Sequence, residues 1–320
     1  MIKTRLFSKD KVAEDVGLDD WRSLVETEGG LLWVDARSMN NQEIELLRSA
    51  FGLHDIAIES VTEEYRRPHL YQFSDHFYVN LTMISPARNE SGFEASEIHL
   101  FVGAEFIITA TKKQPCAPID NVIEDYKNAP ELSSRGVLYA VYLLAEDLME
   151  AYYPVVDKLD DDADKLQDLL LDHADNRSLK RNFDLKDRAF ELRKMLSPQR
   201  DILNEMARRE FPFIKEENRL YFQDVYNRII RLFDILDTVR EILSSNLDIY
   251  LSTISNRLNE VMKVLTVFAT ILMTLSFITG FYGMNFSSLP WLHSQNGFRN
   301  MLIFMGVITA GMLLWFKRRR

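Results

Sequence analysis

Between Arg219 and Gly280 the chain has neither proline nor glycine. A helix over 219–282, at 1.5 Å per residue, is about 90 Å long, far more than one compact domain encloses. Its final part carries no charge: residues 264–282 are 19 uncharged positions, and no Asp, Glu, Lys or Arg follows before Arg299. Residues 300–316 form a second uncharged stretch, of 17 residues. Both lengths suit a hydrocarbon core about 30 Å thick, the second near the lower limit. The pattern therefore predicts one helix passing from water into a membrane and a second one returning. Trp291, Phe298 and Trp315 fall where interfacial aromatics are expected. Arg257 and Lys263 before the first span, and Lys317, Arg318, Arg319 and Arg320 after the second, place both chain ends inside and the loop between the spans outside.

Composition hides these spans. The mean hydropathy of -0.16 is that of a soluble protein, because apolar residues are concentrated at one end of the 320. The formal net charge is -10, and the last four residues contribute +4, so residues 1–316 carry -14. An acidic body of this size repels nucleic acid, whereas a short basic end beside an apolar segment suits anionic lipid. Cys116 is the only cysteine, which rules out an intramolecular disulfide and fits a reducing compartment. The opening "MIKTRLFSKD" lacks the apolar centre of a signal peptide. The N-terminal body is accordingly expected in the cytoplasm.

Strand-like runs occur at 31–36 ("LLWVDA"), 69–85 and 97–113, the last reading as a hairpin turning at Gly103 and Ala104, with helical stretches such as "NQEIELLRSAFGL" between them. From Ser133 onward only helical patterns remain, with breaks expected at 172–176 and around Pro212. The expected class is an α+β N-terminal domain, a helical stalk and two transmembrane helices. The expected divisions are 1–130, 131–262 for the stalk, 263–283 for the first span, 284–298 for the external loop, 299–316 for the second span, and 317–320 for the tail.

Steps of three and four residues along the long helix give Asp248, Ser252, Ser255, Asn259, Met262, Thr266, Ala269, Met273, Ser276 and Gly280, nearly all small, polar or thioether-bearing. Two readings share this stripe. Small residues allow close backbone approach in a packing seam between membrane helices. Alternatively, like faces from several copies meet around one axis and line a pore. Asp248 and Asn259 continue the stripe below the membrane, where a dry seam favours Leu or Ile.

The "YGMN" at 282–285 closing the first span, "NEVMKVLT" at 259–266 below it and "KRRR" at the end resemble the CorA family of magnesium transport proteins. The resemblance covers essentially the whole chain. It implies a homopentameric funnel in the inner membrane of a bacterium, with the first span of each subunit around the pore. Gly283, Met284 and Asn285 then form the selectivity filter. Mg²⁺ dehydrates reluctantly, so a ring of Asn285 side-chain carbonyls, with backbone carbonyls freed near Gly283, recognises the hydrated ion without trapping it. The same residues also fit a helix C-cap with unusual backbone conformations. The family's pore positions fall on Asn259, Met262, Leu265, Met273 and Ser276, with Asp248 at the cytoplasmic mouth. Met262, Leu265 and Met273 are expected as apolar rings that gate by wetting, although methionines also serve as adaptable packing residues.

Relatives of this kind sense cytoplasmic Mg²⁺ between subunits. The resemblance places the sensor at Asp224 and Glu59, with Glu146 and Glu150 as secondary carboxylates. Ser60 stands where the family has Asp, which removes one expected ligand, and the outer "SSLPWL" lacks the usual acids.

The acidic run at 157–168 reads better as a solvated helix face than as an ion reservoir. The six histidines show no ligand spacing, and no P-loop, GxGxxG or GxSxG is present. An enzyme is not expected. Mg²⁺, with Co²⁺ and Ni²⁺ as further candidates, is the expected substrate and regulatory ligand, and copies of the chain and membrane lipid are the expected partners. The membrane potential would drive it, at about 2.3 kcal/mol per charge per 100 mV, doubled for a divalent ion. A zinc transporter of the same superfamily, or a membrane-anchored protein that transports nothing, are the alternatives.

Overall fold

The computed structural model describes residues 1–63, 67–86, 92–112, 115–172, 174–208, 218–284, 290–291 and 294–318. The N-terminal part alternates strands and helices. Strands β1 (Ile2–Phe7) and β2 (Val12–Glu14) precede α1 (Trp21–Glu28), and β3 (Leu31–Arg37) precedes α2 (Asn41–Phe51) and α3 (Asp55–Thr62). Four strands follow: β4 (Leu70–Gln72), β5 (His76–Pro86), β6 (Phe93–Gly103) and β7 (Phe106–Thr111). After these come α4 (Ala117–Asn128), a 3-10 turn (Pro130–Arg135), α5 (Val137–Glu150), α6 (Tyr153–Asp172), α7 (Asn176–Arg208), α8 (Arg219–Tyr282) and α9 (Gly297–Arg318). The chain divides into two compact units, one of Met1–Asp168 with Arg177–Asn246, the other of Leu169–Asn176 with Leu247–Arg320.

In the first unit the strands form one sheet in the order β2-β1-β3-β7-β6-β5-β4. Only β3 and β7 run parallel; the other neighbours are antiparallel. Both faces of the sheet are covered, which is why "LLWVDAR" is buried almost throughout instead of alternating. Leu32, Val34 and Ala36 join Trp21, Leu47, Phe51 and Ala57 from α1, α2 and α3 in one apolar cluster. Trp33 points to the opposite face, where its ring meets Tyr126 of α4 edge-on at 5.8 Å and its Nε1 donates to Thr109 Oγ1 at 3.1 Å. The expected hairpin is present, with β6 ending at Gly103 and β7 opening at Phe106, so the turn falls at 104–105, one residue later than expected. A Cβ on Gly103 would collide with the Phe106 ring, which is what fixes glycine there.

Strands β1 and β2 carry no clear sequence signal, because Lys3, Thr4 and Arg5 make half of "IKTRLF" polar. The corner between α5 and α6 is marked in sequence only by Pro154, the second residue of α6. It is held by a buried polar ring: Tyr152 Oη donates to Thr82 O at 2.9 Å, Gln199 Nε2 donates to Tyr152 Oη at 2.9 Å, and Thr82 N donates to Gln199 Oε1 at 3.1 Å. Gln199 is fully buried. Gln199→Ala is expected to lower unfolding stability by about 1–3 kcal/mol, since the Thr82 N–H is left without an acceptor in the interior. The check is the unfolding midpoint by circular dichroism, and an unchanged midpoint would remove the ring from the account of this corner.

Helix α8 is a single helix of 64 residues. Its buried positions, Phe222, Val225, Ile229, Leu232, Phe233, Leu236, Val239, Leu243 and Asn246, recur every three or four residues and then stop. Beyond Asn246 the same helix exposes Leu251, Leu258, Val261, Val264, Phe268 and Leu272. No residue of α9 is buried. Both helices are long and apolar enough to cross a membrane, and exposure of this much apolar side chain is stable only in lipid or against other copies.

Candidate functional site

Two places in the chain gather the residues expected to handle ions. The first is the membrane part of α8. Among its described positions Val267, Thr270, Ile271, Thr274, Leu275, Ile278 and Tyr282 are half-buried, so other parts of the same chain cover this arc. On α9 the half-buried positions are Gly297, Met301, Met305, Ile308, Met312 and Phe316, with Asn300 and Thr309 beside them, again at steps of three and four. Asp248, Ser252, Ser255, Asn259, Met262, Leu265, Thr266, Ala269, Met273, Ser276 and Gly280 are all exposed. With 3.6 residues per turn, the stripe they form lies roughly opposite the covered arc. The small and polar stripe is therefore not the seam that packs within one chain. Leu265 and Thr266 are neighbours about 100° apart and stand at one edge and near the middle of the stripe.

The chemistry of this face is acceptor-rich. Thr266 Oγ1 donates to Met262 O at 2.7 Å, one turn back. Its only hydrogen is thereby used, and its oxygen lone pairs are what it presents outward. Asn259 adds a carbonyl acceptor and Asp248 a carboxylate. Met262, Leu265 and Met273 are 58%, 60% and 73% exposed, so this chain leaves their apolar surface uncovered.

At the outer end of α8 the Gly283 N–H donates to Thr279 O at 2.9 Å, and Met284 N donates to Phe281 O at 3.4 Å. Gly283 is not among the glycines with positive φ, so the unusual conformation expected of a C-cap glycine is absent there. What glycine supplies is room, since a Cβ would stand 3.3 Å from Thr279 O. Asn285 lies outside the described residues.

The second place is in the first unit, where α5 and the start of α8 meet. The structure brings Asp224, Glu146 and Glu150 together, but around a cation of the chain's own. Arg228 Nη2 reaches Glu146 Oε1 at 2.5 Å, Nη1 reaches Glu150 Oε2 at 3.4 Å, and Nε reaches Asp224 Oδ2 at 3.1 Å. Burial alone would lower the Arg228 pKa, but the hydrogen bond to Asp224 and the charges of Glu146 and Asp224 outweigh it and hold it above its ordinary value. Tyr142, pushed up to about 12 by burial and by its hydrogen bond to Glu146, stays a neutral donor. Tyr139, Tyr142 and Tyr221 pack their rings together with centroids 5.0 to 5.7 Å apart. Nothing in "DVYNR" reveals the partners of Arg228, which lie about 80 residues earlier; only the Asp224 pair at i,i+4 is visible in sequence.

Glu59 sits on α3 with an exposed side chain. Ser60, next to it, is fully buried: its Oγ donates to Ile56 O at 2.9 Å and lies 3.3 Å from His69 Nε2. Position 60 thus faces the interior and not a surface where a ligand could reach an ion. Among the described residues no group of three or more His, Cys, Asp and Glu could hold a metal ion within one chain. The acidic run on α6 lies opposite buried Val156, Leu159, Ala163 and Leu166. Two of its acids are paired, Asp161 with Lys165 and Asp162 with Arg181.

The chain as a whole is similar to known proteins. Residues 28–318 match the model of the family described as CorA-like Mg²⁺ transporter protein. The chain is 32% identical over 295 residues to the cobalt/magnesium transport protein CorA of Thermotoga maritima, covering 90% of this chain and 82% of that one. It is 20% identical over 290 residues to the zinc transport protein ZntB of Cronobacter sakazakii, covering 90% and 87%. The fold matches the complete structure of the CorA magnesium transporter of Methanocaldococcus jannaschii with a TM-score of 0.79 at 24% identity, over 99% of this chain and 98% of that one. The family model matched over residues 28–318 and the 32% identity to the Thermotoga maritima protein, on a fold shared over nearly its whole length, make this chain a member of the CorA family of divalent-cation transporters.

Proposed function

We propose that the chain is the protomer of a homopentameric channel that carries hydrated Mg²⁺, with Co²⁺ and Ni²⁺ as further substrates, across the inner membrane of a bacterium, both termini lying in the cytoplasm. Two spans cannot enclose a pore, so several copies must contribute one each. The exposed stripe from Asp248 to Gly280, opposite the arc that the chain covers itself, carries this reading. Residues of this kind are a poor surface for lipid and a good one for a wet axis. Asp248 and Asn259 then attract and orient the ion's water, and Met262, Leu265 and Met273 form the apolar gate. Ser276 is one helical turn beyond, and Gly283, Met284 and Asn285 form the filter. The boundaries 263–283 and 299–316 follow for the spans, 284–298 for the outer loop, 1–130 and 131–262 for the cytoplasmic parts and 317–320 for the tail. Cytoplasmic Mg²⁺ held between subunits near Asp224 and Glu59 would close the funnel by offsetting repulsion between acidic faces.

The deciding experiment is ion flux into liposomes holding the purified protein, with Mg²⁺, Co²⁺, Ni²⁺ and Zn²⁺ in competition. Mg²⁺ uptake that rises with an inside-negative potential is expected. Zn²⁺ uptake without Mg²⁺ uptake would move the chain to the zinc reading, which the outer "SSLPWL" favours by lacking acids. A monomer in detergent with no flux would leave only a membrane anchor.

A further inference from the structure

The Arg228 cluster goes further than the gating reading and rests on it. Each of the three guanidinium nitrogens of Arg228 faces a different carboxylate, two from α5 and one from its own helix. The backbone is engaged as well, since Tyr153 Oη donates to Arg228 O at 3.3 Å. The Arg228 and Glu146 side chains are each only 25% exposed, so this contact is screened by water less than a surface pair. An ion coordinated directly by these carboxylates would need oxygens at about 2.0–2.6 Å from its centre. The three carboxylates are instead spaced around a guanidinium and, as placed, do not converge on such a centre. Unlike a bound ion, the guanidinium stays charged at any physiological pH and cannot dissociate.

We propose that Arg228 stands in for a divalent cation among Glu146, Glu150 and Asp224, fastening the base of α8 to α5 of its own chain at every cytoplasmic ion concentration. Arg228 is thus a positioning residue for the long helix. Glu146 and Glu150 are not metal ligands in the native protein, and any ion that uses Asp224 must compete with the guanidinium. The regulatory threshold is set by that competition, with Glu59 the carboxylate left outside it.

The test counts Mn²⁺, a divalent probe read by electron paramagnetic resonance, on the full-length protein in detergent. Arg228→Gln should bind one more Mn²⁺ per chain than wild type, or bind it at least about tenfold tighter, because three carboxylates lose their cation. Arg228→Lys, which keeps the charge, should bind as wild type does. Adding Glu146→Gln and Glu150→Gln to Arg228→Gln should abolish the gain. In the wild-type background the same two Gln substitutions should leave the number of Mn²⁺ bound per chain at saturation unchanged. No gain in Arg228→Gln, or a gain that survives loss of Glu146 and Glu150, overturns the proposal. So does the loss of a bound Mn²⁺ per chain at saturation when those two are replaced in wild type, a result that decides even if Arg228→Gln fails to assemble. Flux measured on the same preparations separates the two readings: wild-type protein that transports Mg²⁺ while Arg228→Gln gains no Mn²⁺ defeats only the Arg228 inference. Wild-type protein that transports nothing defeats the channel, and the Mn²⁺ count still decides the cluster.

Discussion

Asn285→Ala should cut Mg²⁺ flux at least about tenfold while leaving the assembly intact. A hydrated Mg²⁺ presents only water hydrogens, so the filter must offer acceptors, and in "YGMN" the strongest uncharged side-chain acceptor is the amide carbonyl of Asn285. Each neutral hydrogen bond contributes about 0.5–1.5 kcal/mol net. Losing two from the ring at once is then worth about a factor of ten. The substitution removes little volume, so the oligomer should run unchanged on size exclusion, and flux is the quantity that falls. Asn285→Asp separates acceptor from charge. It keeps the oxygens but adds as many negative charges as there are copies, and it should bind the ion and release it slowly, with a lower saturating flux and saturation at lower Mg²⁺. Near-normal flux through a correctly assembled Asn285→Ala protein would end the filter assignment.

The membrane helices were legible because their signal is local. A run without glycine or proline and then without charge leaves few alternatives, and α8 is continuous from Arg219 to Tyr282 as that run implies. The central strands β3 and β7 were legible for the same reason: each opens on an unbroken apolar run, "LLWV" in β3 and "FII" in β7. Strand β1 was not, since Arg5 is buried despite its charge, beside Glu14 at 3.5 Å, a partner on the neighbouring strand. Position 60 shows what a family pattern leaves open, namely which way the side chain points in this chain. Adjacent residues of a helix point about 100° apart, and on α3 Glu59 is turned out to solvent while Ser60 is turned inward. Replacing it with Asp would bury a carboxylate within the chain. On α8 the periodicity gave the phase of the small-residue stripe but not which arc the chain covers for itself, because that depends on residues of the second unit far along the sequence. Arg228 was missed on similar grounds: two of its three carboxylate partners come from α5.

Met273→Ala and Leu265→Ala should each raise the flux that remains at high internal Mg²⁺. Both side chains are large, apolar and exposed in the protomer, at 73% and 60%. Around a common axis they would form rings from which water withdraws, and a doubly charged ion with its hydration shell does not cross a dry ring. The cost of wetting scales with apolar surface, about 0.8 kcal/mol for each methylene-sized group. One such group removed from the ring therefore favours the wet state about fourfold, and truncation to alanine removes more than one. Val267→Ala is the control, because Val267 lies on the covered arc. Shrinking it should weaken packing and lower thermal stability while leaving the residual flux as it was. The measurement is Mg²⁺ flux into liposomes loaded with high Mg²⁺, for the three variants and wild type. A rise at Val267 with none at Met273 or Leu265 would mean that the pore lies on the other side of α8, and the stripe from Asp248 to Gly280 would become a packing face between copies.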